Sequence, residues 1–264
     1  MERVTSADGT AIAFDRSGAG PAIVLVGGAF SDRSVAAPLA ALLAPLCTVI
    51  AFDRRGRGDS GDTAPYAVQR EIEDIAALLD EVDAPASLFG HSSGAVLALE
   101  AATALDHRVA KLALYEPPFI VDDSRPFPPE DFADHLAALA AEGRRSDAVV
   151  YFLTEGPGVP PEVVESVRSD PSWPGFEAVA HTLAHDATIM SGLMHGSAAP
   201  LERWASVDVP TLVMDGDASP PWQRNAVGHL VDVMPRAMHR TLTGQDHRPA
   251  DDVLGPVLAD FLAG

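Results

Sequence analysis

Residues 87–102 read SLFGHSSGAVLALEAA, and the fold of the whole chain can be predicted outward from them. Within it, Gly90-His91-Ser92-Ser93-Gly94 matches G-x-S-x-G, directly after a short apolar run and directly before a run rich in alanine and leucine. The pattern alone is weak, but this strand–turn–helix context is the one that a nucleophilic serine requires. A sharp turn strains the backbone of the serine, and side chains at the two glycines would clash across it. The stretch therefore predicts Ser92 as nucleophile and the N–H of Ser93, at the helix N-terminus, as an oxyanion donor.

Short apolar runs and helical patterns alternate along the rest of the chain. Such alternation predicts an α/β fold with a parallel sheet and crossover helices. The stretch 122–203 breaks the alternation, because it begins with a proline-rich segment and continues with helical patterns only. We therefore predict a core formed by residues 1–121 and 204–264, with a helical insertion at 122–203. The predicted strands, of which the last is the weakest, are 22–26, 48–52, 87–89, 112–115, 211–214 and 238–242.

Composition limits the classes of partner. The 264 residues are 47% hydrophobic, so the chain can bury a sizeable core, and the formal net charge of −20 repels nucleic acid and anionic membranes. The single cysteine, Cys47, lies in an apolar run and is expected to pack as a small hydrophobe. No apolar run approaches the ~18 residues of a membrane span, and the N-terminal residues lack a signal core. A cytoplasmic protein that is a monomer or homodimer is expected.

Four segments together resemble the α/β-hydrolase family: GHSSG, VGGAF at residues 26–30, DRRGRGDSG at residues 53–61, and the late His247. The resemblance extends from about residue 4 to residue 262. It implies the α/β-hydrolase fold, a mostly parallel sheet flanked by helices, with the insertion as a cap over the carboxyl edge of the sheet. It also implies His247 as the catalytic base, in the chain order nucleophile, acid, histidine. His91 is an alternative base, but its position on the turn directs it away from Ser92.

The acid has two candidates. The family usually places it in the loop after the strand at 211–214, but Ser219 occupies the expected position here. Glu116, at the end of the strand at 112–115, is the favoured substitute, because some haloalkane dehalogenases carry their acid there. Asp217, two residues before Ser219, is the alternative acid. Both lie at the carboxyl edge of the sheet, where a carboxylate could orient the histidine and stabilise its cationic form.

The resemblance also assigns the second oxyanion donor. It is the N–H of Ala29, although Gly27 replaces the histidine that usually comes earlier in this loop. In DRRGRGDSG, the spacing G-x-G-x-x-G is a weak nucleotide signal, and we interpret it as a tight structural loop. The spacing of His181 and His185 is only half of a zinc site, so neither a cofactor nor a metal is expected. Weaker candidates for substrate lining are Phe30, Phe119 and Trp173.

The predicted activity is acyl transfer to water. Ser92 attacks the carbonyl of an ester, thioester or lactone, His247 accepts its proton, and the apolar cap favours a small hydrophobic substrate. An alternative is a carbon–carbon bond hydrolase acting on a diketone. Another is a hydrolase-fold protein that binds a ligand without catalysis, as the serine at 219 and the glycine at 27 would allow. Fold alone does not separate these functions.

Overall fold

The computed structural model describes residues 1–82 and 85–264. Its strands are β1 (Glu2–Thr5), β2 (Ala11–Ser17), β3 (Ala22–Val26), β4 (Thr48–Phe52), β5 (Ala86–His91), β6 (Val109–Tyr115), β7 (Thr211–Gly216) and β8 (Ala237–Leu242). They form one sheet of eight strands in the order β1-β2-β4-β3-β5-β6-β7-β8. The pairs β1–β2 and β2–β4 are antiparallel, and every other pair is parallel. The predicted fold class is therefore confirmed.

Six of these strands were predicted, and the two N-terminal ones were missed. Strands β3 and β4 have the predicted bounds, while β5 to β8 begin earlier than predicted or extend further. Strand β1 is a short polar strand at the edge of the sheet, and β2 changes from apolar to polar half-way along its length. Neither has the continuous apolar run of a strand that is buried on both faces.

Helices cover both faces of the sheet, as a parallel sheet requires. Apolar residues of α2, α3 and α9 pack into the core on one face, and those of α1 and α10 pack into the core on the other. The bounds of these helices are α1 (Ala37–Leu43), α2 (Val68–Leu79), α3 (Ser93–Leu105), α9 (Pro221–Val233) and α10 (Asp251–Ala263).

The chain between β6 and β7 is helical, and no strand occurs among these described residues. Its helices have a core of their own, which also includes Ile120 and Trp222 and packs against Ala29 and Phe30 of the loop after β3. The division into two domains at residues 122 and 203 stays a prediction. These helices are α4 (Phe132–Ala141), α5 (Arg145–Glu155), α6 (Pro161–Arg168), α7 (Trp173–Val179) and α8 (Leu183–Ile189).

Cys47 lies directly before β4 and is buried among the apolar residues of α1 and α10. Its Sγ donates a weak hydrogen bond to the Leu43 carbonyl oxygen at 3.4 Å, and burial raises the pKa of the thiol. Cys47 therefore packs as the small hydrophobe that the sequence predicts. Across residues 1–82 and 85–264, every helix is too short or too polar to cross a bilayer.

Candidate active site

Ser92 occupies the turn between β5 and α3. Its backbone has φ 55° and ψ −126°, a strained conformation for a residue with a side chain. A Cβ added at Gly90 would lie 2.4 Å from the Gly94 carbonyl oxygen, and one added at Gly94 would lie 2.3 Å from that of Val26. The turn therefore has the geometry of a nucleophile elbow, with glycine required where the sequence has it.

Glu116 follows strand β6 and is fully buried. Its Oε2 lies 2.7 Å from Nδ1 of His247, and its Oε1 accepts the N–H of Gly216 at 2.9 Å. Asp217, the alternative acid, is exposed and instead accepts the N–H of Gly244 at 2.6 Å. Of the two carboxylates that the sequence left open, the structure brings Glu116 to the histidine.

The surroundings of Glu116 favour its ionised form. Burial alone would raise the pKa of this carboxyl, but hydrogen bonds from His247 and from the Gly216 N–H, together with the nearby Ser219 hydroxyl, hold it below its usual value. The Ser219 hydroxyl is buried beside the carboxylate without a well-formed hydrogen bond. The serine at the usual acid position thus faces a carboxylate supplied by the neighbouring strand, and that carboxylate is charged at neutral pH.

His247 lies in the loop between β8 and α10, with its side chain about one third exposed. Two contacts fix the loop backbone: Tyr115 donates its hydroxyl to the Asp246 carbonyl oxygen at 2.6 Å, and His91 Nε2 lies 2.7 Å from the carbonyl oxygen of His247. Because a carbonyl only accepts, Nε2 of His91 must carry the hydrogen. His91 therefore positions the backbone of the predicted base, a role that the sequence did not indicate.

The environment of His91 keeps its ring neutral. The ring retains some accessible surface, but protein atoms crowd it, and its centroid lies 4.9 Å from that of His247. Burial, reinforced by the charge of His247, lowers the pKa of His91 to about 4. With so low a pKa the His91 ring is a weak base, and its Nε2–H is already donated to the His247 carbonyl oxygen.

Gln223, buried in the first turn of α9, also contacts the imidazole. Its side-chain amide lies 2.8 Å from Nδ1 of His247. Nδ1 carries one hydrogen, which Glu116 accepts, so Nδ1 cannot also accept a hydrogen from the Gln223 amide nitrogen; with the amide turned, the Gln223 oxygen would share that hydrogen. No sequence pattern marks this glutamine, because its contact joins the start of α9 to a loop 24 residues further along the chain.

The loop after β3 lies against the nucleophile. A Cβ added at Gly28, the residue before Ala29, would be 3.0 Å from Cβ of Ser92, so the loop packs closely against this turn. Ser93 begins α3 on the other side of Ser92. The roles of Ala29 and Ser93 as oxyanion donors stay predictions. Ser92 Oγ makes no side-chain hydrogen bond to the described residues. The hydrogen bond between a nucleophile and its base is often long in an enzyme without bound substrate.

The predicted lining residues lie in different surroundings. Phe30, at φ 63°, faces the cap, and its ring centroid lies 5.4 Å from Phe152 and 5.0 Å from Phe176. Phe119, in contrast, is fully buried and stacks on Trp204 at 5.3 Å, so the structure places it in the core of the sheet. Trp173 packs inside the cap, with its indole N–H near Ser146 and Glu177. Trp173 belongs to the apolar cluster that packs against Phe30, and the lining roles of the three residues stay predictions.

The loop DRRGRGDSG is tight, as predicted, and two of its arginine side chains also contact α8. Asp53 accepts the backbone N–H groups of Arg33 and Asp59, both at 2.8 Å, which fixes the turn. The side chains of Arg54 and Arg57 are buried and extend to Asp186 on cap helix α8. Hydrogen bonds from the two arginines therefore link this loop to α8.

The comparison with protein families matches residues 23–254 to the model described as "Alpha/beta hydrolase family". The chain belongs to this family. The resemblance in the sequence is therefore confirmed, and the prediction of a hydrolase-type enzyme is confirmed at the level of the family.

Relatives differ in how much of the chain they cover. The crystal structure of an alpha/beta hydrolase from Sphaerobacter thermophilus matches with 55% identity and a TM-score of 0.92, over 99% of this chain and 100% of that one. Lipase LipV of Mycobacterium tuberculosis is 37% identical over 82 residues, 31% of each chain. "Uncharacterized hydrolase YraK" of Bacillus subtilis is 34% identical over 113 residues, 41% of this chain and 42% of that one. The match thus spans less than half the length of either curated relative.

Proposed function

We propose that this member of the alpha/beta hydrolase family hydrolyses carboxylic esters, thioesters or lactones through an acyl-enzyme on Ser92. One observation carries the proposal: a buried, charged carboxylate, Glu116, lies 2.7 Å from Nδ1 of His247, whose loop adjoins the nucleophile elbow. A carboxylate in this position fixes the tautomer that leaves Nε2 free to accept a proton, and it stabilises the imidazolium that results.

The proposed reaction has two halves. Ser92 Oγ attacks the carbonyl carbon while His247 Nε2 accepts the hydroxyl proton, and the N–H groups of Ala29 and Ser93 bind the oxyanion of the tetrahedral intermediate. His247 returns the proton to the leaving alcohol or thiol as the carbon–oxygen or carbon–sulfur bond breaks. Water then attacks the acyl-enzyme, with His247 as base, and releases the acid and Ser92.

The surroundings of the site favour a small hydrophobic substrate. Ala29 and Phe30 border the apolar core of the cap, and Phe30 packs against Phe152 and Phe176. Apolar surroundings exclude water and strengthen the electrostatic interactions of the oxyanion. The expected location in the cytoplasm, the state of monomer or homodimer, and the lack of nucleic-acid or membrane partners stay predictions.

The structure weakens one of the two alternative functions and does not distinguish the other from an esterase. The non-catalytic function drew on the serine at 219 and the glycine at 27, and the contact between Glu116 and His247 weakens the first of these two arguments. The carbon–carbon bond hydrolase uses the same groups, so substrates must separate it from an esterase. Rapid turnover of simple aryl esters is expected. Turnover of a diketone without turnover of aryl esters would favour the carbon–carbon bond hydrolase.

Covalent labelling tests the nucleophile directly. We expect a fluorophosphonate to modify the wild-type chain once, at Ser92, and to abolish turnover of p-nitrophenyl acetate. Ser92→Ala is the matched control and should neither react nor turn over the ester. If the folded wild-type chain resists labelling and leaves the aryl esters intact, the proposed function is wrong.

A further inference from the structure

One buried carboxylate of the helices between β6 and β7 contacts residues next to Ser92 and in the loop after β4. Asp186, on α8, is fully buried and accepts three hydrogen bonds. Its Oδ1 accepts Arg54 Nη1 and the Ser93 hydroxyl, both at 2.7 Å, and its Oδ2 accepts Arg57 Nη2 at 2.6 Å. Two of the donors lie in the loop after β4, and the third is the first residue of α3.

Through Arg57, this carboxylate reaches the first proposed oxyanion donor. Arg57 Nη1 donates to the Gly28 carbonyl oxygen at 2.6 Å. That carbonyl belongs to the same planar peptide unit as the N–H of Ala29, and in a trans peptide the two groups point in opposite directions. By holding the carbonyl, Arg57 fixes the direction of the Ala29 N–H.

The second proposed donor is held more directly. Ser93 carries the other N–H, and its own hydroxyl is bonded to Asp186. Arg54 completes the group: it pairs with Glu71 through two bonds of 2.7 Å and also contacts the Gly27 carbonyl oxygen at 3.3 Å. Asp186 therefore contacts both the arginine that holds the Ala29 peptide and the residue that carries the second N–H.

Stability alone is a poor reason for such a group. Two arginines and two carboxylates are removed from water here, and the cost of desolvation can equal or exceed the attraction between buried charges. What these charges supply is fixed geometry, which an oxyanion hole needs because its donors must be in place before charge develops.

We propose that Asp186 is a positioning residue through which the docked cap sets the oxyanion hole. With α8 in place, Asp186 holds Arg57 and Ser93, and these hold the N–H groups of Ala29 and Ser93. Withdrawal of the cap removes the carboxylate and loosens both donors. The inference rests on the proposed function, since it concerns the stabilisation of an acyl-transfer oxyanion.

The experiment compares Asp186→Asn with Asp74→Asn. Asp74 is a matched control, because it is equally buried and pairs with the neighbouring Arg55 through bonds of 2.8 and 2.7 Å. Both variants should lose thermal stability. Only Asp186→Asn should lower kcat for p-nitrophenyl acetate, by about 10–100-fold with little change in KM, and slow the labelling of Ser92 by a fluorophosphonate to a similar extent.

The outcomes separate the two hypotheses. Equal kcat in the two variants, or a loss confined to KM, overturns the role of Asp186 and leaves the esterase proposal standing. A folded wild-type chain that neither turns over the ester nor labels overturns both.

If Asp186→Asn does not fold, Ser93→Ala decides, because it removes one bond to Asp186 and keeps the backbone donor. We expect about a five-fold loss of kcat and labelling rate at near-normal Tm, and unchanged rates contradict the proposal.

Discussion

At the scale of single residues, Glu116 is the side chain on which the proposed mechanism most depends. Glu116→Gln keeps the shape of the side chain but removes its charge, and its amide would disturb the tautomer of His247. We expect kcat for p-nitrophenyl acetate to fall about 10³-fold, by analogy with the loss of a triad carboxylate. Asp217→Asn is the control, since Asp217 is exposed and bonded to a loop N–H. Equally mild losses in both variants would show that Glu116 is not the acid.

The lowered pKa of His91 predicts how the stability of the protein depends on pH. Its pKa is lowered to about 4 from an ordinary 6.5, chiefly by burial. Between these values the unfolded chain binds a proton that the folded chain does not, so the free energy of unfolding falls as pH drops through this window. From pH 7 to 4.5 the wild type should lose about 2 kcal/mol more than His91→Gln. Urea unfolding at both pH values measures the difference, and parallel curves would contradict it.

At the scale of elements, the end of β7 and the loop after β8 meet at a glycine. Gly216 donates its N–H to Glu116, and a Cβ added there would lie 2.1 Å from the Gln245 carbonyl oxygen. That contact is with backbone, so the loop that carries His247 would have to move. Strand end and loop therefore form one unit that sets the distance from carboxylate to imidazole.

This close approach predicts the effect of Gly216→Ala. We expect the free energy of unfolding to fall by about 2 kcal/mol, as for other overpacked sites, and kcat to fall with it. Gly228→Ala is the control, because Gly228 lies in α9 with open space beside it and alanine favours a helix by up to about 1 kcal/mol. Denaturant unfolding and ester turnover of the two variants provide the measurement. A Gly216→Ala chain as stable and active as wild type would contradict the coupling of strand end and loop.

The net charge of the whole molecule predicts how its Tm depends on salt concentration. With 38 acidic and 18 basic residues, the surface repels itself, and salt screens that repulsion while buried pairs are screened much less. Raising NaCl from about 20 to 500 mM should raise Tm by a few degrees. Choline chloride should act alike if screening is the cause. A fall in Tm would mean that attractive surface pairs outweigh the repulsion.

How much of the molecule the sequence predicts depends on how local each feature is. Strands β3 to β7 are buried on both faces and show as apolar runs, whereas the polar edge strand β1 gives no such signal. The turn at Ser92 was predictable because it is built from adjacent residues. The acid was not decided, since the choice depends on which strand end turns toward His247. Asp186 lies 93 residues from Ser93 along the chain, and no pattern joins them.

Cys47 offers a practical consequence for observing the cap. Its thiol is buried, hydrogen-bonded and raised in pKa, so it should react slowly with maleimide dyes. A pair of cysteines introduced on exposed positions, one above α8 and one on the sheet side, would then take up donor and acceptor fluorophores without first deleting a native thiol. Energy transfer between the dyes could follow opening and closing in single molecules, in real time.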